Sequence, residues 1–180
     1  MQKRKRFSAL IVAIVVLLSA PSNALGNIDL QADINQIAQG LNKFDANSSS
    51  VASVTNISDV RKIFSNNSAI LNEISVSVSR YKKNLISVKR MIPTRDTKET
   101  PKYDTLMNIA KGYEDWLKYQ KINQRAAEQC LRSSGKTYNS FLGCSLNDLQ
   151  ETSKNERLSK VKLQSAWNAW KQWQIKFGHA

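Results

Sequence analysis

At 180 residues the chain has the length of one domain, large enough to bury a core without help. Its 27 lysines and arginines against 14 acidic residues give a formal charge of +13, a field that attracts polyanions in general without choosing among them. The single histidine, His179, is the penultimate residue, which excludes a histidine general base, a His-rich zinc site and the Glu-x-x-His pattern of di-iron bundles.

Lys3, Arg4, Lys5 and Arg6 precede an apolar run from Phe7 to Leu18, and small or turn-forming residues follow from Ser19 to Ala24. This is the order of an export signal. Ser22 and Ala24 suit a signal peptidase and set the expected new N-terminus at Leu25, whereas a cut after Ala20 would place Pro21 next to it. The run falls short of the roughly 18 to 20 residues that span a bilayer, although an uncleaved anchor over residues 7–24 is the alternative. No cysteine stands at the cut, which argues against a lipoprotein. Removing residues 1–24 takes away four positive charges and leaves +9.

The apolar residues then fall on helical faces. A first helix is expected from Ile28 to Phe44, capped by Asn27 or Asp29, and the polar stretch 46–56 reads as a flexible linker. The second helix holds one phase from Val60 through Ile63, Leu71, Ile74, Val78, Tyr81, Leu85 and Val88 to Ile92, where Pro93 stops it. The alternation of Ile74, Val76 and Val78 with serines has a strand's period, but the flanking residues keep the helical phase.

A third helix starts at Pro101, capped by Thr100, and runs through Leu106, Ile109, Tyr113, Trp116 and Leu117 to a stop at Gly135. Ser145 with Asp148 predicts a capping-box start for the fourth, which carries Leu158, Leu163, Trp167, Trp170, Trp173 and Phe177. Three long helices of similar length joined by loops of about ten residues favour antiparallel neighbours. The fold expected is therefore an all-α antiparallel bundle, over residues 57–180, with the N-terminal helix of residues 25–45 packed on it. Cys130 and Cys144 would form one disulfide at the turn between the third and fourth helices, in keeping with an oxidising compartment. No Cys-x-x-Cys is present, and the structural reading outweighs a catalytic thiol.

The sequence carries no phosphate-binding glycine loop, no Gly-x-Ser-x-Gly, no calcium loop and no haem-attachment motif. No family resemblance emerges, and no cofactor or metal is expected. Glu114 with Asp115 is a poor acid and base pair because neighbours on a helix diverge. Asp148 with Glu151 suits the field at a helix N-terminus better than catalysis. A hydrolase with two unsigned carboxylates is the weakest class considered, and the expectation is a protein without enzymatic activity.

Two features invite a binding role. Lys82, Lys83, Lys89, Arg90, Arg95, Lys98 and Lys102 against Asp96 and Glu99 give +5 over 21 residues around the second loop. Solvated helix faces would explain such a cluster equally well, but Lys89 lies close to the apolar face and must snorkel out. In the C-terminal segment, Trp167, Trp170, Trp173 and Phe177 share a helix face beside Lys171 and Lys176. Core packing is the favoured reading of that stripe, with indoles exposed to a partner as the alternative.

An antiparallel bundle would bring the basic loop and the tryptophans to one pole. The expected contact residues are thus Lys89, Arg90, Arg95, Lys98, Lys102, Trp167, Trp170, Lys171, Trp173 and Lys176. The expected partner is an anionic envelope polymer, a membrane surface or another exported protein, and nucleic acid is set aside because it is poorly placed outside the cell. The short n-region suggests a bacterial envelope, which makes the Asn-x-Ser sequons at Asn47, Asn56 and Asn66 incidental. The alternative function is a structural or oligomerising module held at the membrane by an uncleaved N-terminal segment.

Overall fold

The structure is a computed structural model that describes residues 30–92, 99–133 and 138–177. It is an all-α bundle of four helices: α1 (Leu30–Ser50), α2 (Ile57–Met91), α3 (Glu99–Ser133) and α4 (Tyr138–Phe177), with one 3-10 turn at Val51–Ser53. The expected signal segment, the helix caps Asn27 and Asp29, and Pro93 lie outside the described residues.

Packing follows chain order, with α1 on α2, α2 on α3 and α3 on α4. Each pair is antiparallel. Ser68 of α2 meets Glu128 of α3, whereas Lys82, fourteen residues further along α2, meets Glu114, so the later contact lies earlier on α3. Between α1 and α2, Asp33 meets Arg80 and Asn84, whereas Asn47 meets Asn67. Cys130 and Cys144 are joined by a disulfide with Cα atoms 5.7 Å apart, which fixes the C-terminal end of α3 to the start of α4.

One apolar cluster fills most of the interior. It takes Ile34, Ile37 and Leu41 from α1, Leu71, Ile74, Val78, Tyr81 and Leu85 from α2, and Leu106, Ile109, Tyr113, Trp116 and Leu117 from α3. From α4 the fully buried member is Trp167, with Leu163 and Ala166 packed beside it. Phe44 meets Trp116 edge to face at 5.7 Å, so α1 also reaches across to α3. A second cluster at the disulfide end gathers Val60, Cys130, Leu131 and Phe141, with Phe64 edge to face against Phe141. The helices approach closely at two glycines. A Cβ on Gly40 would lie 2.5 Å from Ile74 Cγ1, and one on Gly112 would lie 3.2 Å from Leu163 Cα.

The long second helix is continuous through the serine-rich stretch, and Val76 of the strand-like alternation points out, 66% exposed. Asn56 caps it by accepting the amide N–H of Asp59. Two expectations need correction. Residues 46–50, read as part of a flexible linker, continue α1, and the 3-10 turn follows directly. The reason is tertiary: Asn47 donates to the Ile63 carbonyl and to Asn67 Oδ1, and the Asn67 amide donates to Ser48 Oγ. Polar residues that propensity assigns to a loop are thereby satisfied inside a helix-helix contact.

The second correction concerns the start of α4, which begins at Tyr138 and not at Ser145, so Ser145 and Asp148 stand within the helix. Burial of Phe141 against Phe64 and attachment of Cys144 to Cys130 both require helix upstream of the capping-box signal.

Candidate functional site

The buried stripe of α2, Leu71, Ile74, Val78, Tyr81, Leu85 and Val88, leaves an opposite face to solvent. On that face Val76, Ser79, Lys83, Ile86 and Arg90 recur at alternating spacings of three and four, and all five are exposed. Ser79, Lys82, Lys83, Ile86, Ser87 and Arg90, with Glu114 from α3, line a shallow cleft of about 320 Å³. Lys82 donates to both carboxylate oxygens of Glu114, at 2.8 and 2.7 Å, so this pair cancels within the cleft. Lys83 and Arg90 form no ion pair among the described residues, so the cleft carries net positive charge. Ile86, 42% exposed, and Met91, 52% exposed, add apolar surface among these cations.

The expected contact residues divide into three groups. Arg90 lines the cleft. Lys89 is exposed and sets its ammonium over the Tyr103 ring, 4.9 Å from the centroid, which is how it leaves the apolar face. Lys102 is half-buried and engaged within the fold, and Lys171 is half-buried on α4.

Trp167 must be withdrawn from the contact surface. It is 3% exposed, and its indole N–H donates to the Tyr113 hydroxyl. The core reading of this tryptophan is the one the structure bears out. Arg95 and Lys98 lie outside the described residues. So do the side chains of Trp170, Trp173 and Lys176, whose backbone continues α4.

The antiparallel register places the C-terminal part of α4 beside the start of α3, because Gly112 packs on Leu163 and Tyr113 on Trp167. The N-terminal turn of α1 reaches the same pole, where the Asp33 carboxylate accepts Asn84 Nδ2 at 2.6 Å and also accepts from Arg80 Nε. Arg80 donates its other arm to Gln36. Asp33 is buried, and these two donors satisfy it, so it is a structural carboxylate that fastens α1 to α2.

Sequence reasoning missed the apolar members of the α2 surface. The available signal was that Val76 and Ile86 fall out of phase with the buried stripe. Of the carboxylates considered for catalysis, Glu114 is held by Lys82 and Asp115 is exposed, whereas the side chains of Asp148 and Glu151 lie outside the described residues. Among the described residues no group of three or more potential ligands could hold a metal ion, and no helix is long and apolar enough to cross a membrane.

The fold and this surface define a disulfide-fixed, antiparallel four-helix bundle with a basic cleft on the outer face of its second helix. In comparisons with family models, curated proteins and solved structures, the chain matches none.

Proposed function

We propose that this is an exported, non-enzymatic binding protein of the cell envelope or extracellular space that engages an anionic partner through the C-terminal half of α2. The observation that carries the reading is that Lys83 and Arg90 flank exposed Ile86 in a cleft where, among the described residues, they form no ion pair and the one acidic lining residue, Glu114, already serves Lys82. Cations grouped in a concave site attract anions more strongly than the same charges scattered over a surface. The Cys130–Cys144 disulfide supports an oxidising compartment, in keeping with the signal-like order of residues 1–24.

A second reading keeps the N-terminal segment uncleaved and makes the bundle a membrane-held module. It is favoured by the position of α1, whose first turn sits beside Asn84 at the basic pole, so that a retained segment would tether this end. Mass determination of the protein from its native host separates the two: a chain starting at Leu25 supports release, and an intact Met1 supports the tether.

Salt-dependent retention on an immobilised sulfated polysaccharide tests the binding reading. Wild type is expected to be held at low salt and released as salt rises. Lys83→Glu with Arg90→Glu should abolish most retention, whereas Lys154→Glu with Arg157→Glu, the same change of net charge on exposed sites of α4, should retain most of it. Equal losses for both double variants would contradict a localised site.

A further inference from the structure

Resting on the reading above, we infer that the partner of this surface is an anionic lipid bilayer, against which the outer face of α2 from Val76 to Arg90 lies flat. A soluble polyanion needs charge alone. This face offers more, because apolar side chains stand in the same three-four stripe as the cations: Val76 is 66% exposed, Ile86 follows on the same line, and Met91 closes the helix. Apolar residues interleaved with lysine and arginine on one helix face match the interfacial zone, where the apolar groups enter the acyl boundary and the cations meet headgroup phosphates.

The stripe of five residues spans about 21 Å of helix, enough to contact several headgroups. Lysine and arginine stems let Lys83 and Arg90 reach outward while the backbone stays parallel to the surface. Among the described residues the nearby acidic groups are already paired, Glu114 with Lys82 and Glu73 within 3.8 Å of Lys43. Leu85 and Val88, one or two positions away, are buried in the bundle, so docking needs no rearrangement of the core.

Vesicle co-sedimentation of the full chain tests this, using equimolar phosphatidylcholine and phosphatidylglycerol against phosphatidylcholine alone, with dextran sulfate binding measured in parallel. Residues 1–29 include Lys3, Arg4, Lys5 and Arg6 and favour anionic vesicles by themselves, so the assignment rests on the differences between wild type and variants that share this segment. The expected result is stronger partition onto the anionic vesicles. Ile86→Gln should weaken that partition about fivefold while leaving dextran sulfate binding unchanged, since it removes only apolar area. Lys83→Glu with Arg90→Glu should weaken both, by about fivefold or more for each charge altered.

Unchanged vesicle partition in Ile86→Gln overturns the lipid assignment. So does dextran sulfate binding without vesicle binding, an outcome that leaves the broader binding reading standing. If the double charge reversal changes neither, both fall. Thermal unfolding identical to wild type certifies each variant, as expected for substitutions at exposed positions.

Discussion

The indole N–H of Trp167 on α4 donates to the phenolic oxygen of Tyr113 on α3, inside the main core. This bond matters because, among the described residues, Trp167 is the fully buried member that α4 supplies to that cluster. Trp167→Phe should keep most of the apolar contact but leave the Tyr113 hydroxyl without this donor, costing about 1–3 kcal/mol. Trp167→Ala should cost about 3–5 kcal/mol by opening a cavity between α3 and α4. Urea denaturation of the three proteins measures both.

Burial pushes Tyr113 up to about 12, opposed in part by the Trp167 donor, and burial raises Tyr81 further still, reinforced by Tyr113 and Asp33. Above pH 10 the folded protein therefore keeps these phenols protonated while the unfolded chain releases them. Stability is intact below about pH 10 and falls as pH rises toward 12, by roughly 3 kcal/mol for Tyr113 alone. Phenolate absorbance should show Tyr81 and Tyr113 ionising only with alkaline unfolding. The Tyr81 hydroxyl is buried with no hydrogen-bond partner among the described residues, so Tyr81→Phe should be neutral or stabilise the protein by about 1 kcal/mol.

Gly40 lies where α1 crosses α2, and its added methyl would overlap the inner part of the Ile74 side chain. An alanine there gains about 1 kcal/mol of helix propensity but must displace α1 or Ile74, which costs about 1–3 kcal/mol. The net expectation for Gly40→Ala is a modest loss of stability, and if the clash is the cause the loss should shrink or vanish when the same change is made in an Ile74→Ala background. A stability above wild type in the single variant would show that the helices have room to separate.

The disulfide closes a short loop between α3 and α4, with a sequence separation of 14. Replacing both cysteines by serine should lower stability by about 3 kcal/mol through the freedom restored to the unfolded chain. Burial of the Cys130 side chain beside Val60 and Phe141 adds to that loss, since a hydroxyl would enter an apolar cluster. Calorimetry of the Cys130→Ser, Cys144→Ser protein checks the size of the effect.

The periodicity of apolar residues carried the helical architecture, because one phase from Val60 to Val88 already implies one long helix and one buried face. Helix ends were less legible. Polar residues such as Asn47 and Asn67 stabilise α1 through contacts twenty positions apart, which local propensity cannot see. The start of α4 is likewise set by Phe141 and Cys144 meeting α2 and α3, and the capping signal at Ser145 lost to that packing.

At the candidate site the basic cluster was visible as a run of charge. Which cations remain available was not, because Lys82 is paired with Glu114 across 32 positions and Lys89 turns over Tyr103. The tryptophan stripe was ambiguous for a related reason: the same spacing describes a core face and a contact face, and only the neighbour, Tyr113 for Trp167, decides between them.

The most direct test of the binding surface is lysine labelling of the folded protein with and without anionic vesicles, read residue by residue by mass spectrometry. Protection of Lys83, with Lys62 on the far end of α2 and Lys154 and Lys162 on α4 labelled as before, is the predicted result. Protection concentrated on the α4 lysines, or spread evenly over all of them, would contradict the assignment of the contact to the outer face of α2.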